Sequence, residues 1–181
     1  MNPCDASCVD AVAEAFAPLY GLPSWRVERG VGSFLTFDFG KPHVKIDDVQ
    51  DIHAYVGTDF MPVPRRTAGV TGEWHVWIYW CAWSLSWRDR EIANSESTEL
   101  EIDRALSVLN GQSLTVVTAG TDDGRSSFAF DLSCNLKTWP TEPDDRASGD
   151  DQAEWMLFQP SGEVLSLYAD GRLRTSQADE P

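Results

Sequence analysis

Two stretches of the chain have the apolar spacing of an amphipathic helix. In residues 5–17 and again in residues 98–109 the apolar side chains recur at i, i+3, i+4 and i+7. The second stretch opens with Thr98 and Glu101, the pair that forms a capping box at a helix N-terminus. The residues predicted to face the core are Val9, Val12, Ala13 and Phe16 in the first helix and Ile102, Ala105, Leu106 and Leu109 in the second.

Alternation of apolar and polar residues predicts strands in much of the remaining chain. Leu35, Phe37 and Phe39 share one face of a strand at residues 33–39, and the glycines at 30 and 32 predict a hairpin with residues 25–29. Further strands are predicted at residues 113–118, 126–132, 136–139, 154–159, 163–169 and 172–175, separated by turn residues.

The most aromatic run, residues 74–87, is predicted to be one long strand, because aromatic and β-branched residues favour extended structure. Both of its faces are apolar, which is typical of a strand in the middle of a sheet that is covered on both sides or that offers one face for binding. Two interpretations of its five tryptophans therefore stay open: a packed core, or a partly exposed aromatic binding face.

Residues 40–72 lose this periodicity and are predicted to be an irregular excursion with at most short elements. One cluster there has the residue types of metal ligands, but it has neither HxxxH spacing nor a glycine-centred calcium loop. A charged surface segment is the favoured interpretation, and no metal or other cofactor is predicted. The cluster consists of His43, Asp47, Asp48, Asp51 and His53.

These elements predict an α+β fold, with a single mainly antiparallel β-sheet and two amphipathic helices packed on it. The 181 residues are few enough for one domain, so residues 1–181 are predicted to form a single domain. Residues 141–154 are predicted to be an acidic loop within that domain, and residues 176–181 a frayed tail.

Charge and composition exclude several classes of function. Lys and Arg number 14 against 29 Asp and Glu, and the net charge of −15 argues against a nucleic-acid partner. A hydrophobic fraction of 42% with eight tryptophans is too high for a disordered acidic chain. The longest apolar stretch, around residues 76–85, is far shorter than a membrane span of about 20 residues. A soluble, cytoplasmic protein without a membrane partner is expected.

Residues suited to catalysis are few. Four cysteines without paired CxxC spacing predict free thiols rather than a zinc site or a disulfide framework. The chain has three histidines and no G-x-S-x-G elbow, so a serine or cysteine hydrolase is not indicated. His75 is interpreted as a hydrogen-bonded, half-buried side chain rather than a ligand. No enzymatic activity is predicted.

The acidic loop is the main candidate for binding a partner. It holds six acidic residues and one arginine, a density tolerated where solvent or a cationic partner screens it. The candidate partner-binding residues are Glu142, Asp144, Asp145, Asp150, Asp151 and Glu154 in the loop and Trp77, Trp80 and Trp83 in the aromatic run. The expected partner is a basic protein, and the protein itself is expected to be a monomer or a homodimer. The alternative is that the loop serves only solubility.

Several short segments resemble a family of small bacterial proteins of unknown function, some of which look like immunity proteins of contact-dependent or polymorphic toxin systems. The segments are GLPSW at 21–25, GSFL at 32–35, WHVWIYWCAW at 74–83, LNGQ at 109–112, FAFDL at 128–132 and EWML at 154–157. The resemblance implies a protein that binds and blocks a toxin, and it assigns no functional residue to this chain.

Two hypotheses follow. The first is a non-catalytic protein-binding domain, an immunity protein that neutralises a basic toxin. The second is a small-molecule or carbohydrate-binding domain, with or without enzymatic activity, that has a Trp-lined pocket.

Overall fold

The computed structural model describes the backbone of residues 5–47, 50–120, 123–141 and 152–178, and the side chains of these residues other than 5–10 and 50–56. The helices are α1 (Asp5–Phe16), a 3-10 turn (Ala17–Leu19) and α2 (Glu99–Leu109). The strands are β1 (Trp25–Arg29), β2 (Leu35–Ile46), β3 (Gln50–Val56), β4 (Asp59–Arg65), β5 (Ala68–Ile78), β6 (Cys81–Trp87), β7 (Arg90–Asn94), β8 (Leu114–Ala119), β9 (Ser126–Phe130), β10 (Cys134–Pro140), β11 (Ala153–Phe158), β12 (Glu163–Tyr168) and β13 (Leu173–Gln177).

The strands form two sheets rather than one. The first sheet has six strands in the order β1-β2-β5-β11-β12-β13, and the second has five in the order β7-β6-β10-β9-β8. All of their pairings are antiparallel. The protein is a β-rich sandwich, so the predicted α+β fold with a single sheet is wrong. Strand pairing is a tertiary property, and the same local alternation is compatible with one sheet or two.

The aromatic run at residues 74–87 is where the chain passes from one sheet to the other. It leaves the first sheet after Ile78 and enters the second at Cys81. Between them the Tyr79 N–H donates to the Glu154 carbonyl at 2.8 Å. Val76 and Ile78 in β5, and Trp83 and Leu85 in β6, are buried in the core. The single long strand predicted here is therefore two strands, each with one buried face.

Both helices lie where they were predicted, but the buried face of α1 differs from its prediction at Ala13, which is exposed. The side chain of Val9, also predicted to face the core, lies outside the described residues. The buried face of α2 consists of Ile102, Ala105, Leu106 and Leu109, as predicted. Its capping box is formed: the Thr98 N–H donates to Glu101 Oε2 at 2.9 Å, and the Glu101 N–H donates to Thr98 Oγ1 at 3.4 Å. In α1, Val12 and Phe16 are buried, and the Phe16 ring packs edge-on against Trp155 and Phe128.

We call residues 40–72 the arm, and its described strands pair as a long antiparallel hairpin. The ends of β2 and β5 pair from Pro42 opposite Gly72 to Ile46 opposite Ala68, and β3 and β4 continue the hairpin as a two-stranded ribbon. The irregular excursion predicted for the arm is therefore wrong. The prolines suggested an irregular segment, but Pro62 and Pro64 occupy alternate positions of β4. At such positions both prolines can have the side without an N–H turned away from β3, so the pairing is kept.

The arm begins at a bulge in β2. The pairing register shifts between Phe39 and Pro42, where Gly40 has a φ of +76°. Trp25 Nε1 donates to the Gly40 carbonyl at 3.1 Å, and the Lys41 N–H donates to Glu73 Oε2 at 3.0 Å. One extra residue moves every following side chain to the other face of the strand. Beyond the bulge, the even-numbered residues of β2 lie on the side that Phe37 and Phe39 occupy before it.

Two other predicted segments have different bounds. The acidic loop was predicted to extend to residue 154, but β11 already begins at Ala153, and residues 142–151 lie outside the described residues. The tail was predicted to fray from residue 176, but β13 continues to Gln177. In the described part of the chain, no helix combines the length and the apolar character needed to cross a membrane.

Candidate functional site

The first sheet has a groove of about 780 Å³ on its outer face, the face turned away from the core. Its floor comes from β1, β2, β5 and β11, and its sides come from the arm and the turn after β11. The lining side chains that matter most are Arg26, Thr36, His75, Trp77 and Phe158, together with His43 and Lys45 from the arm.

A buried carboxylate lies next to this floor. Asp38 follows the strand alternation and lies on the opposite face from its neighbours Phe37 and Phe39, yet its side chain is 0% exposed. An ionised carboxylate is costly to bury unless it is paired and hydrogen-bonded. Asp38 forms an ion pair with Arg26 and a hydrogen bond with His75, and both of these residues line the groove. Among the described residues, Arg26 Nε and Asp38 Oδ2 make no hydrogen bond.

Arg26 reaches Asp38 from the neighbouring strand through an unusual backbone conformation. Its φ is +48°, in the left-handed region, and the β1–β2 register shifts between Trp25 and Glu28. This conformation costs a non-glycine residue about 1–2 kcal/mol, and bulges of this kind re-aim side chains. Arg26 Nε lies 3.1 Å from Asp38 Oδ2, and Arg26 Nη1 donates to the Val70 carbonyl in the arm. The guanidinium thus crosses β2 and contacts both Asp38 and the backbone of the arm.

His75 is the second partner of the buried carboxylate. It lies directly opposite Asp38 in the β2–β5 pairing, and its Nδ1 is hydrogen-bonded to Asp38 Oδ1. A carboxylate only accepts hydrogen bonds, so Nδ1 carries the proton and Nε2 is the remaining ring nitrogen. The His75 side chain is 18% exposed, in agreement with the half-buried, hydrogen-bonded side chain predicted from the sequence.

Aromatic rings continue from His75 along the outer face. The Trp77 ring lies 6.0 Å from His75, stacks on Tyr79 at 5.7 Å, and meets Phe158 edge-on at 5.7 Å. Rings at these distances and angles stabilise one another. Trp77 is nevertheless 37% exposed, so part of its indole is open to the groove. The groove therefore has a polar end at Arg26, Asp38 and His75 and an aromatic end at Trp77 and Phe158.

A second hollow of about 410 Å³ adjoins the aromatic end. It shares Phe158 and Ala178 with the groove and continues over β11, β12 and β13. Tyr79, Trp80 and Tyr168 line it. The outer face of the first sheet thus carries a concave surface several strands wide.

The structure separates the tryptophans that the sequence grouped as candidate partner-binding residues. Trp77 is exposed in the groove, and Trp80 is half-buried beside the second hollow. Trp83 is 0% exposed in the core, where its Nε1 donates to the Ser33 carbonyl at 2.7 Å. Trp83 therefore belongs to a packed core, whereas Trp77 is partly exposed.

The acidic candidates are also divided. Glu154 is 1% exposed in β11, so its side chain is not part of a solvated loop. The other five, Glu142, Asp144, Asp145, Asp150 and Asp151, lie outside the described residues.

His43 and Asp47 both line the groove, but among the described residues no group of three or more His, Cys, Asp or Glu side chains could hold a metal ion. Asp48 lies outside those residues, as do the side chains of Asp51 and His53. Burial raises the pKa of the Cys81 thiol well above its usual value, and burial also raises that of Cys134. Both thiols are free and buried.

Sequence reasoning missed Arg26, Asp38 and Phe158 as site residues. Asp38 stands in a regular alternation with phenylalanines, which is the normal pattern of a strand whose polar face meets solvent. Its distinction comes from Arg26, twelve residues before it, and His75, 37 residues after it. The one local sign was His75 itself, a titratable residue inside an aromatic strand.

Comparison of the chain with protein-family models, with curated proteins and with solved structures finds no match.

Proposed function

We propose that the protein is a binding domain whose groove takes a small polar ligand of the carbohydrate class. The observation that carries this proposal is the Arg26–Asp38–His75 cluster, which is built around a fully buried carboxylate beside an exposed tryptophan. Charged side chains are almost never fully buried unless they are paired with other groups. Here Asp38 fixes the positions of two hydrogen-bonding side chains that line the groove.

The chemistry of the two ends supports a sugar. A sugar ring presents hydroxyl groups around its edge and apolar C–H groups on its faces. Arg26 supplies N–H groups that donate to hydroxyl oxygens, and Nε2 of His75 is the ring nitrogen left to hydrogen-bond with a hydroxyl group. Trp77 and Phe158 supply apolar surface. The volume of about 780 Å³ lies within the range of roughly 300–1,000 Å³ that is usual for ligand sites. The adjoining hollow gives room for a second ring.

The test is a titration with a panel of mono- and disaccharides, followed by calorimetry and by thermal unfolding. A ligand that binds only the native state raises the melting temperature in proportion to the logarithm of its concentration. Trp77→Ala is expected to weaken binding of the active saccharide about tenfold, the loss of roughly 1.4 kcal/mol. Trp87→Ala is the matched control, because Trp87 is 38% exposed against 37% for Trp77 but lies on the second sheet.

Equal effects of the two substitutions would contradict a role for the groove, and so would a panel in which no saccharide binds at millimolar concentration. His75→Gln adds a second check, because it removes the imidazole from the polar end while Trp77 remains. It is expected to weaken binding without abolishing it.

A second candidate is recognition of a basic protein, such as the toxin partner that the family resemblance implies. The net charge of −15 supports it, because charge complementarity speeds association and selects partners. The outer face also has the residue types of interface anchors, since Trp77 is exposed and Arg174 lies 4.9 Å above the Tyr168 ring.

This candidate is tested by purification of bound proteins from the native host at low and high salt. Association kinetics of the recovered partner would then be measured with Asp144, Asp145, Asp150 and Asp151 changed to Asn. Slower association with a flatter salt dependence is expected. Unchanged kinetics, together with loss of binding in Trp77→Ala, would transfer the interface from the acidic loop to the outer face.

A further inference from the structure

The hollow beside the groove lies over β11, β12 and β13 and has a volume of about 410 Å³. Paired residues of neighbouring strands lie side by side on one face of a sheet. Two such rows lead across the outer face from the groove into the hollow. One row consists of His75, Phe158, Val164 and Ser176, and the other of Trp77, Met156 and Ser166. The groove and the hollow are therefore parts of one continuous surface.

This surface is long compared with a small sugar. The groove begins at β1 and the hollow ends at β13, and these are the two edge strands of the six-stranded sheet. Five strand spacings of roughly 4.8 Å make a path of about 24 Å. A disaccharide is much shorter, so it covers only part of this path.

Two aromatic rings that line the hollow are held in place by their neighbours. The Trp80 ring meets Phe34 edge-on at 5.6 Å and Tyr79 edge-on at 5.7 Å. The guanidinium carbon of Arg174 lies 4.9 Å from the centre of the Tyr168 ring. Side chains that are already fixed lose little freedom when a ligand binds, so these rings are suited to contact one.

One polar group in the hollow lacks a partner. Ser166 is only 6% exposed and lines the hollow, yet its hydroxyl makes no hydrogen bond to any residue that the structure describes. Buried polar side chains are nearly always hydrogen-bonded, because a buried donor or acceptor without a partner is unfavourable. A hydroxyl group of a ligand in the hollow supplies the missing partner.

We propose that the groove and the hollow together bind one linear oligosaccharide that is longer than a disaccharide. The proposal rests on the carbohydrate-binding function proposed for the groove, and it adds the length of the ligand and a second place where the ligand is held. The first rings lie beside His75 and Trp77. The later rings lie in the hollow, where Trp80 and Tyr168 contact their C–H groups and Ser166 hydrogen-bonds to a hydroxyl group.

Calorimetry with oligosaccharides of increasing length tests this proposal on the full chain. The probes are cello-, chito-, manno- and xylo-oligosaccharides, each series running from the monosaccharide to the hexasaccharide. In a series that binds, the affinity is expected to rise at least about tenfold from the disaccharide to the pentasaccharide, because the added rings contact the hollow.

Two substitutions in the hollow separate its contribution from that of the groove. Ser166→Ala removes a hydroxyl that has no described partner, so the melting temperature is expected to stay the same or to rise. It is expected to weaken binding of the pentasaccharide about threefold to tenfold, and Tyr168→Ala at least about tenfold. Both are expected to leave the affinity for the disaccharide within about twofold of the wild type.

Thr175→Ala is the control, because Thr175 is exposed on the other face of β13 and lines neither the groove nor the hollow. It is expected to change the affinity for neither chain length. Melting temperatures verify that each variant is folded, and Ser166→Ala keeps the test valid if Tyr168→Ala is not.

The outcomes for the groove and for the hollow can be told apart. A disaccharide that loses affinity in Trp77→Ala, in a series without any gain on lengthening, would leave the function proposed for the groove intact and overturn this inference. A gain with length that survives both Ser166→Ala and Tyr168→Ala would place the added rings elsewhere and overturn it as well. If no chain up to the hexasaccharide binds at millimolar concentration, the inference and the proposed function both fail.

Discussion

Asp38 fits into its buried position because residue 72 on the neighbouring strand is glycine. A Cβ at Gly72 would lie 2.9 Å from Asp38 Cβ and 2.6 Å from the Phe39 carbonyl oxygen, closer than such atoms can approach. The Asp38 carboxylate therefore depends on a backbone position as well as on its two partners, Arg26 and His75.

Gly72→Ala is accordingly expected to lower the free energy of unfolding by about 1–3 kcal/mol, the usual cost of overpacking. Gly69→Ala on the same strand is the control, because nothing lies within 4 Å of a Cβ at that position. Its effect is expected to stay within about 0.5 kcal/mol. Urea titration of both variants measures the difference, and equal stabilities would mean that the Asp38 environment is less crowded than described.

The ion pair at the groove is expected to be stronger than an exposed pair. A double-mutant cycle with Arg26→Ala and Asp38→Asn is expected to give a coupling energy of about 1–3 kcal/mol, because Asp38 is fully buried. The matched cycle uses Arg172→Ala and Asp170→Asn, whose side chains are 52% and 50% exposed. That pair is expected to give at most about 1 kcal/mol. Similar coupling energies in the two cycles would argue against a special role for Asp38.

The helix α2 provides a test of the sequence-based prediction of its buried face. Leu106 is 2% exposed, and Leu106→Ala is expected to cost about 2–5 kcal/mol. Leu100 in the same helix is 58% exposed, and Leu100→Ala is expected to cost less than about 1 kcal/mol. Denaturant titration distinguishes the two, and a cost below about 1 kcal/mol for Leu106→Ala would mean that the helix is rotated.

The two buried thiols make stability depend on alkaline pH. Burial raises the pKa of Cys81 and Cys134 in the folded state, so the folded protein holds these protons more tightly than the unfolded chain. Their contribution is fully present below the unfolded thiol pKa of about 8.5 and is lost as the pH rises through the raised values. The free energy of unfolding is therefore expected to fall between about pH 8 and pH 10.

Replacement of both thiols by alanine isolates this contribution, since tyrosines and lysines titrate equally in the two proteins. The variant is expected to show a shallower decline. In a background with Cys4→Ser and Cys8→Ser, a thiol reagent is expected to label Cys81 and Cys134 only as the protein unfolds. Rapid labelling of the native protein would contradict their burial.

The sequence predicted local structure well where one residue pair or spacing decides it. Thr98 and Glu101 define the start of α2, and Gly30 with Gly32 indicates the turn between β1 and β2. The prediction of one long strand at residues 74–87 was wrong because Tyr79 and Trp80, at the break, are as aromatic as the strands on either side. The break there depends on hydrogen bonds to residues 153 and 154, which the local sequence does not reveal.

The candidate site shows the same division. Trp77 was named from its aromatic context, and it lines the groove. Asp38 was not named, because a polar residue in an alternating strand is ordinarily solvated. The pairings of β2 with β1 and with β5, which bring Arg26 and His75 to Asp38, give this carboxylate partners that the local sequence does not reveal.

Because of the bulge at Gly40, the number of residues in β2 decides which side chains of the arm face the groove. Deletion of one residue within the bulge would shift the part of β2 beyond it by one position. Neighbouring side chains would then exchange faces of the strand. Val44 and Ile46 would then face the groove, and His43 and Lys45 would face away from it. One insertion or deletion at the bulge would therefore replace the polar side chains that line the groove with apolar ones all at once. Substitutions could make the same change only one residue at a time.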